Sequence, residues 1–182
     1  MFKKLDILDE KDKRLRNISE EVVFPLNKNE KAIIQSIIDN LTYSQIDKYA
    51  KKYKLRPGMG LAFPQVAINK RVIVIVHEYK DELFDNYVVV NPKIISHSEE
   101  IIAADAGEGC LSVNREVDGH VKRYARVTVE GFDENGNKIK IRAREELAIA
   151  FQHEIDHLNG ILFFDYINKK KPFITDNSIR LI

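Results

Sequence analysis

Cysteine is almost missing from this chain. Cys110 stands alone, so no disulfide can close within it, and a lone thiol is core filling, a ligand or a nucleophile. Tryptophan is absent, and 5 prolines and 8 glycines are few for 182 residues. Those counts exclude a disulfide scaffold, a collagen-like repeat and a Pro/Gly-rich disordered chain. An excess of one charge is also lacking. Lys and Arg number 29 against 28 Asp and Glu, a net +1, so no global imbalance points to a nucleic-acid substrate or an acidic partner. No apolar run approaches the ~20 residues needed to cross a bilayer. The stretch Phe2-Lys3-Lys4-Leu5-Asp6 holds no apolar signal region. The expectation is a cytoplasmic protein without a membrane partner.

What is present reads as globular: 44% hydrophobic and 31% charged, in a length that suits one domain, 1–182, with a real core. Asn27 and Glu30 have the spacing of a capping box. Behind them Ile33, Ile34, Ile37, Ile38 and Leu41 recur at helical spacing and predict an amphipathic helix continuing to Lys52. Residues 72–76 are an unbroken β-branched run, which predicts a buried strand. Residues 87–90 repeat the signal and are expected to stop at Asn91-Pro92. Residues 127–129 and 138–141 flank a turn-forming cluster with an Asn135-Gly136 pair, which predicts a hairpin. A late helix is expected from about Glu145, with Leu147, Ala150, Phe151, Ile155 and Leu158 on its apolar face and Asn159-Gly160 as its stop. Strands before and around one late helix predict an α+β fold, largely antiparallel sheets around a central helix.

That late helix carries His153-Glu154-Ile155-Asp156-His157. Residues four apart share a helix face, so both imidazoles can address one metal ion while Glu154 handles protons. The H-E-x-x-H pattern points to a metal-dependent hydrolase of amides or esters; its bland alternative is a surface helix with two incidental histidines. A catalytic site of this kind takes a third protein ligand. One endopeptidase pattern puts a histidine where this chain has Phe163, and no Glu follows Glu154. The remaining candidates are Cys110, His77, His97 and His120. Cys110 is favoured because it lies in Gly107-Glu108-Gly109-Cys110-Leu111-Ser112, where small residues allow close backbone approach and a thiolate suits zinc or ferrous iron. A third segment, 58–65, carries Gly58, Gly60 and Pro64 and ends on Gln65, whose amide could donate to an oxyanion. A closed structural metal site and a nucleophilic Cys110 served by a histidine stand as rival readings.

Together and in this order, the three segments resemble the peptide deformylase family: G-x-G-Φ-A-A-P-Q as 58–65, E-G-C-Φ-S as 108–112, and Q-H-E-Φ-D-H as 152–157. One departure is Phe63 in place of the usual alanine, expected to add bulk beside the peptide cleft. Leu15-Arg16 followed by Val22 is similar to the family's N-terminal segment, and residues 43–54, 112–115 and 119–123 are similar to its longer class, typical of Gram-positive bacteria and mollicutes. The resemblance implies a bacterial, cytoplasmic hydrolase that removes the formyl group from the N-terminal formylmethionine of nascent chains. It implies Fe2+, replaceable by Zn2+, Ni2+ or Co2+, on Cys110, His153 and His157, with one position left open. Glu154 is implied as the proton carrier, Gln65 and the Leu111 backbone N–H as oxyanion donors, and Gln152 and Asp156 as supports. The peptide is expected along Gly58, Gly60 and Gly109, its methionine in a pocket near Ala150. The run Lys169-Lys170-Lys171 raises a weak ribosome contact.

Overall fold

Asn27 and Glu30 do open the first long helix. In the computed structural model, which describes residues 2–174 and 176–182, the Glu30 N–H donates to Asn27 Oδ1 at 2.9 Å and the Asn27 N–H to Glu30 Oε2 at 2.8 Å. The helix, α1, spans Lys28–Gln45 and buries Ile34, Ile37 and Leu41. The expected continuation to Lys52 is a separate element. The chain is extended at Ile46 and restarts as α2, Asp47–Tyr53. The break has a local cause. Ser44 Oγ receives the Gly58 N–H at 3.1 Å, and Gln45 Nε2 donates to Val76 O at 2.9 Å and Gly58 O at 3.2 Å. These two side chains tie the helix end to the 56–58 loop. The turn then stacks Tyr49 and Tyr53 on Tyr43, ring centroids 4.6 and 5.9 Å apart.

The main sheet is antiparallel. Its five strands are β1 (Gly60–Ala62), β2 (Val72–Lys80), β3 (Leu83–His97), β6 (Arg126–Phe132) and β7 (Lys138–Arg144), adjacent in that order. Residues 72–76 sit at 0% exposure, and the reason their run is unbroken is that both faces are covered. Val72, Val74 and Val76 pack with Ile34, Ile37 and Leu41 of α1; Ile73 and Ile75 pack with Phe151, Ile155 and Leu158 of the late helix. That helix, α3, spans Glu145–Leu158 and is buried on nearly every side, as a central helix must be.

β3 does not stop at Asn91-Pro92 as expected; it runs through them. Asn91 takes a positive φ of 51°, and the register against β6 shifts between Val90 and Lys93. This is a bulge, the place where a strand tolerates proline. The Asn91 side chain holds it, accepting the Val22 N–H at 2.8 Å and donating to Val22 O at 3.0 Å. The expected β6–β7 hairpin is present, with Asp133 Oδ1 accepting the Asn135 and Asn137 N–H groups at 2.8 and 2.9 Å. A small second sheet joins β4 (Ile101–Ala103), β5 (Arg123–Tyr124) and β8 (Arg180–Leu181), with β8 parallel to β4. The loop between β4 and β5 contains Cys110 and lies across one face of α3. No helix among the described residues is long and apolar enough to cross a membrane.

Candidate metal centre

On α3 the two histidines are one turn apart, and their ring centroids are 5.1 Å apart. Cys110 reaches them from the β4–β5 loop, its Sγ 3.3 Å from His157 Nε2. One ligand atom from each of Cys110, His153 and His157 lies within 4.8 Å of the others. Among the described residues no other Cys, His, Asp or Glu group meets this standard. The other histidines are occupied elsewhere: His97 stacks on Tyr124, His120 accepts the Ile174 N–H, and His77 lies on β2 opposite Asp85. Phe163, where an endopeptidase would place its third histidine, packs against the His153 ring at 5.9 Å.

The thiol is placed by its loop, and the loop is held at several points. Arg56 Nη1 donates to Val113 O at 2.8 Å and Arg56 Nη2 to Leu111 O. The Glu10 N–H donates to Ser112 O at 2.7 Å. Gln65 is 1% exposed. Its Oε1 accepts the Ala62 N–H at 2.8 Å, which sends its NH2 toward Ser112 Oγ at 3.1 Å and Cys110 Sγ at 3.6 Å. Gln65 therefore bridges the end of β1 to the thiol.

A buried ionic chain supports the histidines. The Glu108 carboxylate accepts His153 Nδ1 at 2.8 Å and Arg123 Nε at 2.7 Å, and Arg123 Nη1 donates to Asp156 Oδ2 at 2.6 Å. Arg123 and Glu108 are each 4% exposed at the side chain. Burial alone would raise the Glu108 carboxyl, but the His153 and Arg123 hydrogen bonds outweigh it and hold it down at about 2. A carboxylate on Nδ1 fixes that nitrogen as the donor and frees His153 Nε2 to face the thiol. Burial also disfavours a charge on either ring. It pushes His157 well below the ordinary histidine range, whereas at His153 the Cys110 and Glu108 contacts override burial and raise it. Asp156 supports this chain. Gln152 does something different: it pins β5, accepting the Tyr124 N–H at 2.9 Å and donating to Tyr124 O at 3.0 Å.

Glu154 is 4% exposed, and its Oε2 is buried without a hydrogen-bond partner among the described residues. Burial pushes its carboxyl up to about 7. Its side chain lies against Gly60, where a Cβ would fall 2.8 Å from the Glu154 Cδ. A Cβ on Gly58 would likewise fall 2.8 Å from a Leu111 methyl. The two glycines are thus openings into which Glu154 and Leu111 fit. A cleft of about 1060 Å³ runs past this point, walled by Gly58, Gly60, Gly109 and Ala150 and reaching Cys110, His153 and Glu154. Phe63 is not in its wall. The expectation that its bulk shapes the cleft is corrected: Phe63 is 0% exposed and packs with Leu61 and Val72 in the core beneath α1.

The sequence had not marked Glu108 or Arg123 as supports. Glu108 could have been found, since it belongs to the motif that carries Cys110. Nothing distinguishes Arg123 from its exposed neighbour Lys122 until the fold buries it.

The chain is also similar to known proteins. The family description "Polypeptide deformylase" matches residues 4–173. A peptide deformylase of Listeria welshimeri is 50% identical over 168 residues, 92% of this chain and 91% of its own. Peptide deformylase 2 of Geobacillus stearothermophilus is 45% identical over 175 residues, covering 96% of this chain and 95% of its own. The crystal structure of peptide deformylase from Thermus thermophilus superposes with a TM-score of 0.75 at 30% identity, over 93% of this chain and 89% of that one. The chain belongs to the polypeptide deformylase family, metal-dependent hydrolases that remove the formyl group from N-formyl polypeptides.

Proposed function

We propose that residues 1–182 form a single catalytic domain that deformylates N-formylmethionyl nascent peptides in the bacterial cytoplasm. The metal would be ferrous iron on Cys110, His153 and His157, with Zn2+, Ni2+ or Co2+ able to replace it. The observation that carries this reading is the convergence of three donor atoms within 4.8 Å beside a buried Glu154 oxygen that has no hydrogen-bond partner among the described residues. The donor set fits: one thiolate and two imidazoles, with one imidazole tautomer fixed by Glu108, suit a soft-to-borderline divalent ion. When bound, such an ion supplies Lewis acidity and brings the pKa of water toward ~7.

The chain's own residues supply the rest. Glu154, desolvated and facing the cleft, takes the proton of the attacking water and returns it to the leaving amine. The Gln65 NH2 and the Leu111 backbone N–H stabilise the oxyanion that develops on the formyl oxygen; one such donor is typically worth ~3 kcal/mol. The extended peptide lies along the outer edge of β1, with Gly58, Gly60 and Gly109 letting its backbone approach. The methionine side chain occupies the apolar wall near Ala150.

The test is formate release from formyl-Met-Ala-Ser by anaerobically prepared protein, with metal analysis alongside. Stoichiometric iron without formate would overturn the reading. Glu154→Ala should keep its metal and lose activity by at least ~100-fold; near-normal turnover by that variant would remove Glu154 as the proton carrier. In air the iron form should lose activity faster than a nickel-substituted form, because Fe2+ and its thiolate oxidise; equal decay would count against iron. For the Lys169-Lys170-Lys171 run, a weak ribosome contact predicts salt-dependent co-sedimentation with ribosomes. No co-sedimentation at low salt would remove that contact.

A further inference from the structure

The near-neutral net charge of +1 hides a local imbalance on the outer face of the main sheet. Along β7 every outward position is a cation: Lys138, Lys140, Arg142 and Arg144 are all exposed, while Ile139, Ile141 and Ala143 between them face the core. Alternate strand residues are about 6.8 Å apart, comparable to successive phosphates along an extended RNA strand. β7 is the last strand of the sheet, so the row stands at a free edge. The neighbouring strands add to it, with Arg126 opposite Arg144 and Thr128 opposite Arg142 on β6, and Lys93 opposite Glu130 on β3.

Two features separate this from an ordinary solvated surface. First, like charges directly opposite each other destabilise an antiparallel pair, and Arg126 and Arg144 stand in that relation. The same hairpin compensates elsewhere, since Lys140 meets Glu130 at 2.8 Å. Arg126 is drawn to Glu100 at 2.7 Å, yet among the described residues Arg142 and Arg144 have no carboxylate within ion-pair distance. Second, the arginines border a depression of about 320 Å³, which is also lined by Ser96, His97 and Ser98. Guanidinium groups and hydroxyls around a shallow depression form a phosphate-recognising set.

We propose that the β6–β7 face is a docking surface for the phosphate backbone of RNA, without base readout. The outward positions of β7 offer no apolar side chain to enter a lipid surface. A straight row at fixed spacing suits a repeating phosphate chain better than an irregular acidic protein. The row ends at Arg144, next to Glu145 and Glu146 on the wall of the catalytic cleft. RNA on this face would therefore hold the cleft mouth close to itself. The proposal is independent of the catalytic reading, because none of these cations touches the metal centre.

The experiment is fluorescence anisotropy of a labelled poly-uridine oligonucleotide against the full chain over a salt series. Wild type should bind at low salt. Arg142→Glu with Arg144→Glu should weaken binding at least ~10-fold and reduce the slope of log affinity against log salt by about 1.4, two single-strand phosphate contacts. Arg142→Gln with Arg144→Gln should give a smaller loss in the same direction, and it decides the matter if the charge reversal fails to fold. Turnover of formyl-Met-Ala-Ser should be unchanged in both. Alanine at Lys169, Lys170 and Lys171 should leave RNA binding within ~2-fold, locating the contact on the sheet rather than the terminal run. Unchanged affinity in the arginine variants would overturn the proposal. So would wild-type protein that ignores RNA at low salt, or that prefers phosphatidylserine vesicles or poly-glutamate.

Discussion

Arg123 shows how far a single side chain can carry a site it never touches. It lies between Glu108 and Asp156, 2.7 and 2.6 Å from their oxygens, and Glu108 in turn holds the candidate ligand His153. A charge buried this deeply is tolerated because both carboxylates meet it with hydrogen bonds. Removing it strands two carboxylates in the interior. Arg123→Met is expected to cost about 3–5 kcal/mol, read as a lower urea midpoint. It should also weaken metal binding about 10- to 100-fold by loosening the Glu108–His153 bond. A variant with wild-type stability and metal content would show that the chain of ion pairs is incidental. The grouping of Cys110, His153 and His157, which the structure brings within 4.8 Å, was legible in the sequence because each lies in a short local motif. Arg123 was not, because its meaning comes from burial, and burial is decided by β4, β5 and α3 together.

At the scale of elements, patterns with a strict period were legible and interruptions were not. The 72–76 run announced a buried strand, and the capping box announced the start of α1. The break at Ile46 and the bulge at Asn91 were hidden. Each is held by side chains, Gln45 and Asn91, bonding to backbone distant in sequence. The capping box also makes a prediction of its own. Burial works to raise the Glu30 carboxyl, but Lys70 and the Asn27 N–H outweigh it and hold it below its ordinary 4.5. A depressed carboxyl adds stability that is present above the unfolded pKa and disappears as pH falls through the folded one. Glu30→Gln keeps an acceptor for the Asn27 N–H and deletes only the charge. The variant should therefore be less stable than wild type by about 0.5–1 kcal/mol near pH 7. That gap should close in acid, well below the ordinary carboxylate range, as wild-type Glu30 also protonates. Urea unfolding at the two pH values measures it. A gap that persists undiminished in acid would mean that the Lys70 pair contributes nothing and the loss is one of packing.

At the scale of the molecule, the candidate metal centre gathers donor groups from parts distant in sequence. The thiol belongs to the β4–β5 loop and the imidazoles to α3. The loop is fastened to the rest by Arg56, Gln65 and Glu10. The order of the three motifs along the chain was readable, but not the way these fastenings bring the second motif across the third. A divalent ion on all three donors binds the folded arrangement and not the unfolded chain, so it stabilises by mass action, about 2.7 kcal/mol at a hundredfold excess over Kd. For a chain of 182 residues that corresponds to a rise in Tm of roughly 5–10 °C. Chelation should remove this rise from wild type. Cys110→Ser should begin near the chelated value and respond weakly to added metal, because the hydroxyl is a much poorer ligand than the thiolate. His120→Ala, remote from the cluster, should keep the full response to metal. If Cys110→Ser gained as much from metal as wild type does, the ion would be held by the two histidines without the loop, and the loop's fastenings would have to serve the cleft alone.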